Sequence, residues 1–243
     1  MIETLTALLT AHVFADYVFQ SKRTAENKHE FAQLAYHGAV VLALAVLFTG
    51  SISAPIFILA ALHITTDAIK ARTKTTITSH LTDQLAHLVT LTAVAGLAPT
   101  LWADGLWSAA PVWVSHFLLL LSGAIYVTRA GGFAIGILMA PYGSEFSKDS
   151  LPGGGQMIGL LERGLIYILI LSGNPIGIGF LVAAKSVLRF EATRDGDEIT
   201  NRRRSEYVII GTLASFGWAI LVTLAIHVIL LQLPPLGFLP GAP

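Results

Sequence analysis

The chain has 243 residues, 54% of them hydrophobic and 12% charged, with 15 basic and 15 acidic side chains and a formal net charge of zero. A soluble domain is usually about a quarter charged, so this composition excludes an ordinary soluble globular protein. It also has no cysteine, which excludes disulfides and thiolate metal sites.

Long apolar runs recur along the whole length and predict an all-α, polytopic transmembrane helical bundle. Eight spans are expected, near 2–20, 31–49, 54–71, 80–98, 111–129, 155–173, 175–191 and 205–232. The start, MIETL, has a Glu and no basic n-region, so it does not read as a cleaved signal peptide. The first span holds AHVFADYVFQ, with His12, Asp16 and Gln20 spaced i, i+4, i+8 on one helix face. The second carries His37. The third repeats the first with His63 and Asp67, and the fourth reverses it with Asp83 and His87. After the fifth span, GGFAIGILMAPY (131–142) is apolar but too short to cross, so it is expected at the interface or re-entrant. SEFSKDSLPGGG (144–155) is a turn-rich loop. The last three spans bring Glu162 and Arg163, then Lys185 and Arg189, and the charged loop 189–204 with Arg202, Arg203 and Arg204.

The basic residues fall on alternate loops. Lys22, Arg23 and Lys28 follow span one, Lys70, Arg72 and Lys74 span three, Arg129 and Lys148 span five, and the Arg-rich run span seven. The opposite loops contain no Lys or Arg, so the basic loops are expected in the cytoplasm and both termini outside it. With about 1.5 Å rise per residue, the four histidines then sit roughly 9–12 Å below the inner boundary. The three aspartates sit roughly 4–6 Å below it. Four helices thus place one chemistry at one depth.

The layer carries an internal repeat. QLAYH (33–37) resembles QLAH (84–87); His12 precedes His37 by 25 positions and His63 precedes His87 by 24. Spans 1–2 and 3–4 read as a duplicated N-terminal helical hairpin, with a pseudo-twofold axis along the membrane normal. Two domains follow: 1–100 with the His/Asp layer, and 101–243 with the C-terminal helices and the interfacial segment.

His and Asp are metal ligands, and i, i+4 spacing aims both from one helix face. His12, Asp16, His37, His63, Asp67 and His87 are candidate ligands for a divalent metal, zinc by ligand type. Asp67 and Asp83 are the candidate catalytic carboxylates. Seven groups are too many for one zinc, so either two ions bind or the aspartates orient imidazoles. Hydrogen-bonded His–Asp packing and a proton or cation relay are the competing readings. Gln20, Gln33 and Gln84 lie at the same edge, and Lys70 lies one turn beyond Asp67. In the second half, Arg163, Lys185 and Arg189 form a candidate anionic headgroup site. The plainer reading there is an ion pair, with Lys185 as the partner of Glu162.

The stretches AHVFAD…Q, LHITTD and DQLAH resemble an uncharacterised bacterial inner-membrane family, a domain of unknown function. MIGLLERGL…AAKSVLRF…EYVIIGT resembles the C-terminal half of its longer members. That resemblance implies membrane class and bacterial origin, and brings no activity. In style the layer is similar to membrane-bound metal-dependent hydrolases. It resembles more distantly the zinc amidohydrolases of the alkaline ceramidase and adiponectin-receptor superfamily, although this chain has no HxxxH. The expectation is a metal-dependent hydrolase of the bacterial inner membrane acting on a lipid or amphipathic substrate at the cytoplasmic leaflet. Anionic lipids are expected partners, no nucleic acid is, and self-association stays open. A proton- or cation-coupled transporter and an assembly or scaffold subunit are the alternatives.

Overall fold

The computed structural model describes residues 1–143, 152–192 and 198–236, and the side chains of 188–201 are outside that description. Among the described residues every regular element is helical. The chain forms two compact units, one of residues 1–123 with 228–243, the other of residues 124–227.

The first unit is built on α1 (Ile2–Tyr17), α2 (Lys22–Glu26), α3 (Phe31–Thr49), α4 (Ala54–Lys70) and α5 (Ile77–Leu97). Local chemistry sets their ends. Ser21 and Thr76 cap α2 and α5 by accepting from the Thr24 and Ser79 amides. Pro55 lies in the first turn of α4, where its missing N–H costs nothing. Gly50 closes α3 at φ 66°, and a Cβ there would stand 2.7 Å from the Leu106 amide nitrogen, so conformation and space both demand glycine.

α1 packs on α3 and α5, and α4 packs on the same two helices, closing a ring of four. α6 (Trp113–Ile125) joins this unit; the Thr10 hydroxyl of α1 donates to the Leu118 carbonyl at 3.3 Å. α1 is buried around most of its circumference, and its Thr4 and Thr10 hydroxyls bond inside the unit: Thr4 donates to the Pro99 carbonyl at 2.8 Å. Polar groups therefore lie inside, while Leu47, Leu62, Leu85 and Val89 face outward. This inversion suits a hydrocarbon solvent.

The second unit contains a π-helical turn (Tyr126–Ala130), α7 (Gly131–Met139), a 3-10 turn (Ala140–Tyr142), α8 (Gly154–Leu171), α9 (Gly177–Ala192) and most of α10 (Glu198–Leu230). Among the described residues, four helices are long and apolar enough to cross a membrane: Phe31–Thr49, Trp113–Tyr142, Gly154–Leu171 and Arg202–Leu230. α1 and α4, at 16 and 17 residues, fall short of the about 20 that a hydrocarbon core requires. α5 has 21 residues, but His80, Asp83, Gln84 and His87 dilute its first half.

One expectation is corrected here. Residues 131–142 do not form an element of their own. They continue the preceding helix, and Trp113–Tyr142 is one 30-residue candidate span. Counted alone the segment is too short to cross, but the π-turn joins it to α6 without leaving helical geometry.

Candidate metal centre

The i, i+4 pairs do locally what helix geometry dictates: His12 and Asp16 share a face of α1, His63 and Asp67 of α4, Asp83 and His87 of α5. Closing the four-helix ring turns these faces, and His37 of α3, onto one point. The four histidines are 1–3% exposed and Asp67 is 1% exposed. Ring centroids of His63 and His87 lie 4.1 Å apart, His12 and His87 5.0 Å, and His37 and His63 5.3 Å.

Four atoms form the centre of the cluster. His37 Nε2 and His63 Nε2 are 3.2 Å apart. Asp16 Oδ1 lies 3.2 Å from the first and 3.4 Å from the second. Asp67 Oδ2 lies 3.3 Å and 3.5 Å from the same two nitrogens. These are five of the six edges of an irregular tetrahedron; the set whose ligand atoms all lie within 4.8 Å of one another is Asp16, His37 and His63, with Asp67 outside it. In tetrahedral zinc, bonds of about 2.0–2.1 Å separate the ligand atoms by about 3.3–3.4 Å. Asp16 Oδ1 and Asp67 Oδ2 are buried without a well-aligned hydrogen bond, each within ion-pair distance of both histidine nitrogens. The two facing nitrogens can share one proton, which leaves the remaining lone pairs opposed.

Among the described residues, three overlapping groups could hold a metal ion: Asp16, His37 and His63; His12, His63 and His87; and Asp67, Asp83 and His87. Within each, the ligand atoms lie within 4.8 Å of one another. His12 stands at the margin of the tetrahedron, its Nδ1 3.8 Å from Asp16 Oδ2 and neither ring nitrogen hydrogen-bonded. His87 Nε2 is 3.7 Å from Asp67 Oδ1 and 3.6 Å from Asp83 Oδ1.

Residues 4–106 match a family model described as Protein of unknown function (DUF3307). No curated protein and no solved structure matches the chain. The matched span runs from within α1 past the end of α5, so it contains all seven His and Asp residues of the cluster.

Two contacts escaped sequence reasoning. Lys28, read only as part of a basic loop, donates to Asp67 Oδ1 at 2.7 Å and is largely covered. The Gln20 amide, read as a solvated helix end, lies 3.4 Å from both ring nitrogens of His37. Only its i+8 spacing from His12 hinted at the site. Gln84 is buried beside Asp83, its Nε2 3.3 Å from Asp83 Oδ2. Lys70 donates instead to the Ser79 hydroxyl.

The candidate headgroup residues have other contacts. In the second unit, Arg163 Nε and Nη2 both donate to the Thr128 carbonyl, at 3.1 and 2.9 Å, and Nη1 donates to the Ser215 hydroxyl at 3.1 Å. Lys185 pairs with Glu162 at 2.7 Å, as the plainer reading anticipated. The Arg189 side chain lies outside the described residues.

Proposed function

We propose that the protein is a zinc-dependent membrane hydrolase acting on a lipid or amphipathic substrate near the cytoplasmic leaflet. The observation that carries this reading is the set of four buried lone-pair atoms at 3.2–3.5 Å, two of them carboxylate oxygens without a well-aligned hydrogen bond. His37, His63 and Asp16 would hold the ion, with Asp67 Oδ2 beside them and the fourth position open to water. Bound there, zinc supplies Lewis acidity and a water acidified toward neutral pH. The remaining steps belong to the chain. Turning the Gln20 amide so that its oxygen accepts from His37 Nδ1–H leaves the Nε2 lone pair facing the carboxylates. The Asp83–His87 pair, 3.6 Å apart and beside Asp67, can take and return the proton of the attacking water. Asp83 is the carboxylate left over by the tetrahedron, which makes it the better base of the two catalytic candidates.

The same proposal includes the finer topology: eight spans, a duplicated hairpin, basic loops in the cytoplasm of a bacterial cell, and both termini outside. The ring supports the repeat, because α1 and α4 each pack on both α3 and α5. In a chain without native cysteine, Asp104→Cys is expected to react with an impermeant thiol reagent on intact cells, and Thr75→Cys to resist it. Labelling of Thr75→Cys from outside would invert the orientation and put the site near the opposite leaflet.

A proton- or cation-coupled carrier is the alternative. The buried Thr4, Thr6 and Thr10 of α1 favour it, since the Thr6 hydroxyl has no hydrogen-bond partner. Purified protein decides between the two. The hydrolase reading expects about one zinc per chain without added metal, and release of water-soluble product from mixed bacterial lipid that a chelator abolishes. Metal-free protein that moves charge across sealed vesicles would replace it with the carrier.

A further inference from the structure

The tetrahedron does not use every ligand atom in the cluster. Asp67 Oδ1, Asp83 Oδ1 and His87 Nε2 remain, and they form one of the groups able to hold a metal ion. His87 is 2% exposed, and neither its Nε2 nor Asp83 Oδ1 has a hydrogen-bond partner. The His87–Asp67 and His87–Asp83 separations, 3.7 and 3.6 Å, exceed an ideal zinc edge of about 3.3–3.4 Å by a few tenths. Asp67 belongs to both sets, one oxygen in each. A carboxylate shared in this way is how two-metal sites hold ions about 3.5–4 Å apart.

A cation already stands against one ligand atom of this second position. The Lys28 ammonium reaches Asp67 Oδ1 at 2.7 Å from a residue 39 positions away. The charges balance with it in place. Asp16, Asp67 and Asp83 bring three negative charges; one divalent ion and Lys28 bring three positive ones. Inside a bundle, neutrality counts heavily because uncompensated charge is poorly screened.

We propose that Asp67 Oδ1, Asp83 Oδ1 and His87 Nε2 form a second divalent-cation position and that the Lys28 ammonium occupies it, keeping the site at one ion. Lys28 thereby leaves Asp83 and His87 free to handle protons. The inference rests on the hydrolase reading only for the first ion.

Zinc bound per chain, measured by elemental analysis after dialysis against buffered zinc, tests it. Wild type is expected to hold one ion, Lys28→Met two, and Lys28→Met with Asp83→Asn one again. Lys28→Gln, held to the same count of two, serves if Lys28→Met does not insert. An added divalent ion more than replaces the single positive charge that these variants lose, so at least one is expected to fold in zinc-supplied cells. Failure of both to fold would overturn the proposal, as would a count of one in a folded variant or two in wild type. Wild type with no zinc would be a different result, removing the metal reading itself.

Discussion

His63→Gln protein is expected to insert and fold normally and to lose its metal. His63 Nε2 lies within 3.5 Å of His37 Nε2, Asp16 Oδ1 and Asp67 Oδ2. Glutamine keeps a hydrogen bond but is a poor zinc ligand, so a packing role should survive at about the 0.6 kcal/mol average for such contacts in a bilayer protein. A ligand role should not survive: affinity should fall by more than the about 10–100-fold that loss of an orienting partner costs. Asp67→Asn should behave likewise, because its Oδ2 faces both nitrogens. His12→Gln is the contrast. His12 Nδ1 stands 3.8 Å from Asp16 Oδ2 and outside the group of Asp16, His37 and His63, so its loss should weaken binding about tenfold, the cost of disturbing an orienting group. Zinc titration of the three variants separates the cases. Equal losses at His12 and His63 would mean that the ion sits among His12, His63 and His87 instead. Unchanged metal in all three would return the layer to packing.

Arg163→Lys is expected to destabilise the protein more than Arg163→Met does. The guanidinium donates twice to the Thr128 carbonyl at the π-turn and once to Ser215. Two glycines make room for it: a Cβ on Gly132 would stand 2.9 Å from Nη2, and one on Gly159 2.9 Å from Nη1. A lysine keeps the charge in this place but cannot present the planar fork, so it loses hydrogen bonds worth about 1.5–3 kcal/mol each to a charged group. Methionine removes the charge and loses packing and hydrogen bonds without leaving an ion stranded. Thermal unfolding in detergent reads the order. A lysine variant as stable as wild type would show that the fork is dispensable and that the glycines serve some other purpose.

Sequence by itself determined the class of this protein and the identity of the cluster. Apolar composition forces backbone hydrogen bonds into helices, and i, i+4 spacing fixes which side chains share a face, because both follow from the local geometry of one helix. His12 with Asp16, His63 with Asp67 and Asp83 with His87 were therefore legible without any contact between helices. Tertiary structure decided what those faces meet. Which oxygen of Asp67 turns to the histidines and which to Lys28, and that His37 rather than His12 stands against His63 Nε2 at 3.2 Å, depend on how α1, α3, α4 and α5 rotate as the ring closes. Lys28 and Gln20 reach the site from the connection between α1 and α3, where no periodicity constrains a side chain. The continuation through Gly131 and Gly132 was missed because the length of 131–142 was counted apart from the helix before it; the π-turn joins the two, and Arg163 and Trp218 press against the surface those glycines leave bare.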